Sequence, residues 1–293
     1  MLSLLQEKHT HGTTTFPLQV YSHHDKDGFY SVPQHWHDEL EWLYVETGIL
    51  CLTVHGKSFE LHPGQFCFIN SGELHEIKST GESYHHAVVF QAKFLDFELY
   101  DTCQHQFIGP VTSRRLTFPT LADALPPDTA RAVLGHLQAI AALYHAPEPT
   151  APLAIKIHIL QILELLYRFD ALTEDAPSPK EAENLTKLKT VISYLHEHYR
   201  EPLTLQKLAD LAYLSPTYFC HYFRKQTGKS PITFLNEYRI EQAARLLTSS
   251  SLSVSQIAVS VGFDNFSYFI RKFRACKRVS PTEYRRQLTH RNP

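Results

Sequence analysis

The feature that most constrains this chain is a pattern near its C-terminus that is written twice. The first copy reads SPTYFCHYFRKQTGKSP over Ser215–Pro231, and the second reads NFSYFIRKFRACKRVSP over Asn265–Pro281. Tyr218 and Tyr268, Phe219 and Phe269, Phe223 and Phe273, Arg224 and Arg274, Ser230 and Ser280, and Pro231 and Pro281 fall in register. A repeat that keeps aromatic positions, a basic position and a Ser-Pro exit is a duplicated structural unit. Its length fits a helix, a turn and a second helix of a size that enters a DNA groove.

The spacing inside each copy supports that unit. Thr204 is placed to cap a helix TLQKLADLA, and Tyr213-Leu214-Ser215 to turn the chain. Ser215 and Pro216 then begin the next helix, because a Ser hydroxyl accepts an orphan N–H and Pro has none to lose. Phe219, Tyr222 and Phe223 recur at helical spacing and are expected inward, which turns Thr217, Cys220, His221, Arg224 and Lys225 outward. Gly228 follows where a left-handed residue ends a helix. In the second copy Ser253 and Gln256 spell a capping box, Gly262-Phe263 the turn, and Asp264 or Asn265 the next cap. Phe269 and Phe273 are expected inward, with Phe266, Ser267, Tyr268, Ile270, Arg271 and Arg274 on or near the outward face. Ser280 and Glu283 spell a last capping box before PTEYRRQL. The stretch 231–249 joins the copies as one helix of roughly 27 Å, enough to hold two recognition helices about one DNA turn apart.

The charge is divided in the same way. Residues 184–293 carry 17 Lys+Arg against 7 Asp+Glu, a net of +10, while residues 1–183 carry 11 against 23, a net of −12. Opposite signs in two halves point to a basic module that binds double-stranded DNA, joined to an acidic partner domain. The five cysteines show no CxxC spacing, which favours reduced thiols in the cytoplasm over a disulfide or zinc framework. The N-terminal apolar run is too short for a signal peptide, and no run is long enough to span a membrane.

Residues 16–100 read as strands. LEWLYVE (40–46), ILCLTVH (49–55), QFCFIN (65–70) and HHAVVFQ (85–91) are short, β-branched or aromatic runs cut by Gly48, Gly56, Gly64, Gly72 and Gly81. That pattern favours an antiparallel barrel or jelly roll. Two helical patterns follow at 129–146 and 152–172. The second is apolar on most faces, so one stripe is expected to pack on the barrel and another on a second copy in a homodimer. TEDAPSPKEAEN (173–184) is expected to be a linker between a first domain, 1–172, and a second, 185–293.

The runs LADLAYLSPTYFCHYFRKQTGKSP, YRIEQAARLL (238–247) and IAVSVGFDNFSYFIRKFRACKRVSPTEYR (257–285) resemble the AraC/XylS family of bacterial transcription regulators, from residue 187 to 288. The resemblance implies an α+β chain of two domains, a cupin-like barrel with helices and an all-α double helix-turn-helix. It implies that both recognition helices enter adjacent major-groove segments on one DNA face. It also implies a small-molecule effector, contact with RNA polymerase, and activation more than repression. One position departs: Arg278 stands where the family usually has Gly, in register with Gly228. A phosphate contact is the compensation expected of it.

In the acidic half, alternation along a strand is expected to place His35, His37, Glu39 and Glu41 on one face, with His75 returning beside them. HxHxxxE followed by PG…H resembles the two cupin motifs. In cupin enzymes the matching residues, here His35, His37, Glu41 and His75, hold a divalent metal, and imidazole with carboxylate suits Fe, Mn, Ni or Zn. In regulators of the resembling family the same cavity commonly takes a small effector, often a sugar, with no cofactor required. His35, Trp36, His37, Glu41 and His75 are therefore effector-contact candidates, with Trp36, Trp42 and Tyr44 adding aromatic surface. Effector contacts, a metal site and a buried hydrogen-bond cluster all remain open on the sequence. The chain is expected to be no enzyme; the rival is a metal-dependent cupin enzyme with an accessory DNA-binding domain.

Overall fold

The computed structural model describes residues 11–28, 30–174 and 179–289, which divide between Lys180 and Glu181 into two compact units. In the first unit, β1 (Leu18–Asp25), β8 (Ser83–Phe90), β3 (Leu40–Thr47) and β6 (Phe66–Ile69) form one antiparallel sheet in that order. β2 (Ser31–His35), β7 (His75–Ser79), β4 (Leu50–Val54) and β5 (Lys57–Leu61) form the other. The crossover from β2 to β3 holds no glycine, whereas those from β3 to β4, β5 to β6, β6 to β7 and β7 to β8 are short turns that each hold one. Gly48 shows why: its φ is +78°, and a Cβ there would lie 2.1 Å from the Glu82 carbonyl.

Alternation divides each strand of the first sheet between two cores. Leu43 and Val45 of β3 join Leu52, Ile77 and Val89 between the sheets. Leu40, Trp42 and Tyr44 point the other way, into a cluster shared with the helices. Trp42 and Tyr44 are thus core residues of the outer layer, and neither lines the barrel interior.

After β8 come a 3-10 turn (Ala92–Leu95), a π-helical turn (Gln104–Ile108) and α1 (Gly109–Thr112). Helices α2 (Pro127–His145) and α3 (Ala151–Arg168) then cover the sheet with Val133, Leu137 and Ile140 from one and Ile155, Ile159, Ile162 and Leu166 from the other. Most of the apolar surface of α3 is therefore covered within its own unit. Leu153 at 64% and Ile157 at 46% exposure are what remains outward.

The second unit is helical: α4 (Pro179–Glu197), α5 (Leu205–Leu211), α6 (Pro216–Thr227), α7 (Pro231–Ser249), α8 (Val254–Ser260), α9 (Phe266–Lys277) and α10 (Pro281–Thr289). α4 begins inside the stretch read as a linker; residues 175–178 of that stretch lie outside the described residues. Thr204, Ser215, Ser230, Ser253 and Asn265 each accept a backbone N–H at a helix start, with the full capping box at Ser253 and Gln256. The repeat is visible in the packing. Phe223 meets Phe234 edge-on at 5.4 Å, and Phe273 meets Tyr284 at 5.5 Å. Arg239 of α7 is buried and donates to the carbonyls of Tyr199 (2.6 Å) and Glu201 (2.8 Å), tying α7 to the end of α4. Among the described residues no helix is long and apolar enough to cross a membrane.

Candidate functional site

The expectation that His35, His37, Glu39 and Glu41 share one strand face is not met. β2 ends at His35 and β3 begins at Leu40 in the other sheet, so His37 lies in the crossing between them. A register shift between Val32 and His35 also resets the alternation of β2. Glu39 is left outside, with a carboxylate oxygen 3.8 Å from His37 Nδ1. The crossing nonetheless brings four of the expected residues together. His35 pairs with His75 across β2 and β7, and ligand atoms of His35, His37, Glu41 and His75 all lie within 4.8 Å of one another. Trp36 is buried in the same crossing.

The geometry of the three imidazoles is specific. His35 Nδ1 lies 3.0 Å from the Pro33 carbonyl, His37 Nδ1 3.1 Å from that of Glu39, and His75 Nδ1 2.9 Å from that of Glu73. A carbonyl can only accept, so each Nδ1 carries the proton and each Nε2 of a neutral ring is a lone pair. Yet His37 Nε2 and His75 Nε2 both lie 3.1 Å from the same oxygen of Glu41. Burial by itself pushes the Glu41 carboxyl up; His37 and His75 outweigh that and hold it well below the usual carboxylate range when each ring also carries a proton on Nε2 and so a positive charge. Two lone pairs facing one carboxylate oxygen repel unless positive charge sits among them. Nδ1–H groups fixed on backbone carbonyls, with Nε2 atoms converging, are also the arrangement that orients imidazoles toward a metal.

Sequence reasoning missed the rest of this interior, because no spacing marks it. His11 is buried, with Nδ1 2.9 Å from the Tyr21 hydroxyl and its ring 5.7 Å from that of His37. Further along, His85 is buried opposite His23, with Tyr30 4.6 Å away, and burial lowers its pKa to about 4.

In the second unit the two recognition helices are α6 and α9. Phe219, Phe223, Phe269 and Phe273 are buried, while Thr217, His221, Arg224, Lys225, Phe266, Ser267, Arg271 and Arg274 are exposed. Cys220, Ile270 and Tyr268 are half-buried, and Tyr222, expected inward, is half-buried as well. The Tyr268 hydroxyl accepts from Asn236 Nδ2 of α7 at 3.2 Å. Gly228 (φ +73°) and Arg278 (φ +63°) both close their helices in the left-handed conformation, each with its N–H on the carbonyl four residues back.

Comparison with known proteins finds a counterpart for each of the two domains. A cupin domain profile matches residues 24–90 and a helix-turn-helix domain profile matches 208–287. The uncharacterized HTH-type transcriptional regulator YdeC of Bacillus subtilis (strain 168) is 26% identical over 96% of this chain and 96% of its own length. The chain thus carries the helix-turn-helix and cupin domains of AraC-type transcription regulators, and its homologues are regulators of that family. Another relative, the arabinose operon regulatory protein of Salmonella typhimurium, is 27% identical over 78% of this chain and 77% of its own. HTH-type transcriptional activator RhaS of Yersinia pestis is 26% identical over 87% and 90%. The helix-turn-helix domain implies binding to double-stranded DNA, and the barrel is a cupin-like ligand-binding domain.

Proposed function

We propose that this regulator senses a small molecule at a divalent cation held by His35, His37, Glu41 and His75. The observation that carries this is the set of three Nδ1–H groups fixed on backbone carbonyls while the Nε2 side converges on one carboxylate. A cation supplies the positive charge the cluster calls for, and imidazole with carboxylate suits Zn, Fe, Mn or Ni. His35, His37 and His75 orient it, Glu41 neutralises part of its charge, and oxygen atoms of an effector have a Lewis acid to meet. The barrel acts as sensor rather than catalyst, since the relatives that match along nearly the whole chain are named as regulators. Activation, contact with RNA polymerase, a cytoplasmic setting and a homodimer using Leu153 and Ile157 of α3 complete the reading.

The test is metal analysis of the purified chain with thermal unfolding before and after chelation. One equivalent of cation is expected, and its return at 100 times its Kd should stabilise the protein by about 2.7 kcal/mol. Glu41→Gln and His75→Ala should abolish that stabilisation and the response of a reporter promoter. A chain without cation, indifferent to chelation, would overturn the metal. An open coordination site that turns over a substrate would favour the enzyme instead.

A further inference from the structure

We propose that Tyr268 is a positioning residue, which ties recognition helix α9 to the connecting helix α7 and gathers Arg271 and Lys272 over its ring for presentation to DNA. Its place in the repeat suggested a residue on the DNA-facing side, yet it is half-buried. Its hydroxyl is engaged by Asn236, itself buried on α7, at 3.2 Å. The Arg271 guanidinium lies 5.2 Å and the Lys272 ammonium 5.5 Å from the ring centroid. Residues three and four ahead on a helix share a face with the first, so this clustering follows from the sequence spacing. An aromatic face attracts both cations and narrows their rotamers. Two cations near one ring also repel each other, and phosphate or base acceptors on DNA relieve that repulsion.

The first recognition helix is built otherwise. Tyr218, in register with Tyr268, is 47% exposed and lies parallel to Tyr222 at 6.4 Å. The two copies thus differ in preorganisation: α9 offers DNA a fixed basic group keyed to α7. Loss of the key lowers the population of the competent arrangement, and affinity for the right sequence falls by that fraction.

The experiment uses the full chain and the sequence it selects from a random duplex pool. Tyr268→Phe removes the bond to Asn236 and keeps the ring; Asn236→Ala removes the same bond from the other side. Each is expected to weaken the selected site by roughly fivefold, the size of one net hydrogen bond. Both should relax preference at the same base pairs, and the double variant should be no weaker than either single one. Tyr268→Leu, which also removes the ring, should lose about tenfold or more on the selected site. A merely structural role would lower the melting temperature and leave the selected sequence unchanged, which overturns the proposal. Relaxed preference in Tyr268→Phe with normal preference in Asn236→Ala also overturns it, because the hydroxyl then reads DNA directly.

Discussion

The two helix-turn-helix copies need left-handed residues at the same two places, and they give glycine to opposite ones. In the first copy the turn holds Tyr213 (φ +55°) and the helix end holds Gly228 (φ +73°). In the second the turn holds Gly262 (φ +90°) and the helix end holds Arg278 (φ +63°). The fold sets the dihedral; the surroundings decide whether a side chain is tolerated there. A Cβ on Gly262 would meet the carbonyl oxygens of Tyr199 at 2.8 Å and Arg200 at 2.9 Å. Tyr213 is 86% exposed, so its only cost is the left-handed backbone. Duplication therefore preserved a geometry and left the residue at each corner to local packing.

The largest expected effect tests that distinction. Gly262→Ala combines a strained dihedral with a backbone clash and should destabilise the second unit by about 2–4 kcal/mol. Tyr213→Gly should instead change stability by about 1 kcal/mol or less, toward stabilisation. Chemical denaturation followed by circular dichroism measures both. Equal and small effects would mean that packing against Tyr199 and Arg200 does not distinguish the copies.

Acid offers a second way to separate them. The first copy leans on His196 of α4, whose ring stacks on Tyr238 at 3.6 Å and on Phe234 at 5.9 Å; residues 222–289 contain no histidine. Burial, with a smaller contribution from the Arg245 charge, lowers the His196 pKa to about 3. An unfolded imidazole takes its proton near pH 6.5, whereas the folded one stays neutral down to about pH 3. Stability is therefore unaffected above pH 6.5 and falls progressively as pH drops from there toward 3. The loss at pH 5 should be about 2 kcal/mol relative to pH 7. His196→Phe should flatten that slope; an unchanged slope would place the acid sensitivity elsewhere.

DNA contacts rank next. His221 and Arg271 are exposed on equivalent turns of α6 and α9. His221→Ala or Arg271→Ala should each cost about 1–3 kcal/mol on the selected sequence and relax preference under its own helix. Lys225→Ala should weaken all sequences alike. If the three variants behave identically on selected and random DNA, the assignment of reading and phosphate roles fails.

Much of this was legible because it rests on local chemistry. Caps at Thr204, Ser215, Ser253 and Asn265, and the inward phenylalanines, follow from hydrogen-bond needs and a helical period that no distant residue alters. The barrel was legible in outline, and its cluster was found through a partly mistaken route. Strict alternation placed His37 on a strand, whereas the chain changes sheets there, and only the tertiary crossing brings His37 beside Glu41. The same alternation, applied to β3, would have sent Trp42 and Tyr44 away from Glu41, since they differ from it by odd steps. The start of α4 was hidden by composition, although Ser178-Pro179 repeats the Ser-Pro signal seen at Ser215, Ser230 and Ser280. His11 and His85 carry no sequence mark at all; burial between sheets is what makes them notable.

The smallest effect is expected at Arg278, and it is the one that most sharpens the comparison. A left-handed arginine costs roughly 1 kcal/mol that a glycine avoids. Arg278→Gly should therefore stabilise the second unit by about that amount, making its helix end like that of the first copy. Persistence of a costly residue at an exposed corner calls for a return, and a phosphate contact is the return its charge suggests. Removing one such contact should lower the slope of log affinity against log salt by about 1 and weaken random and selected DNA together. Gly228→Arg, the reverse exchange, should destabilise the first copy without raising the slope unless that corner also faces phosphate. A stabilised Arg278→Gly chain with an unchanged salt slope would show that the strain is real and the contact is not, leaving the two helix ends equivalent in DNA binding.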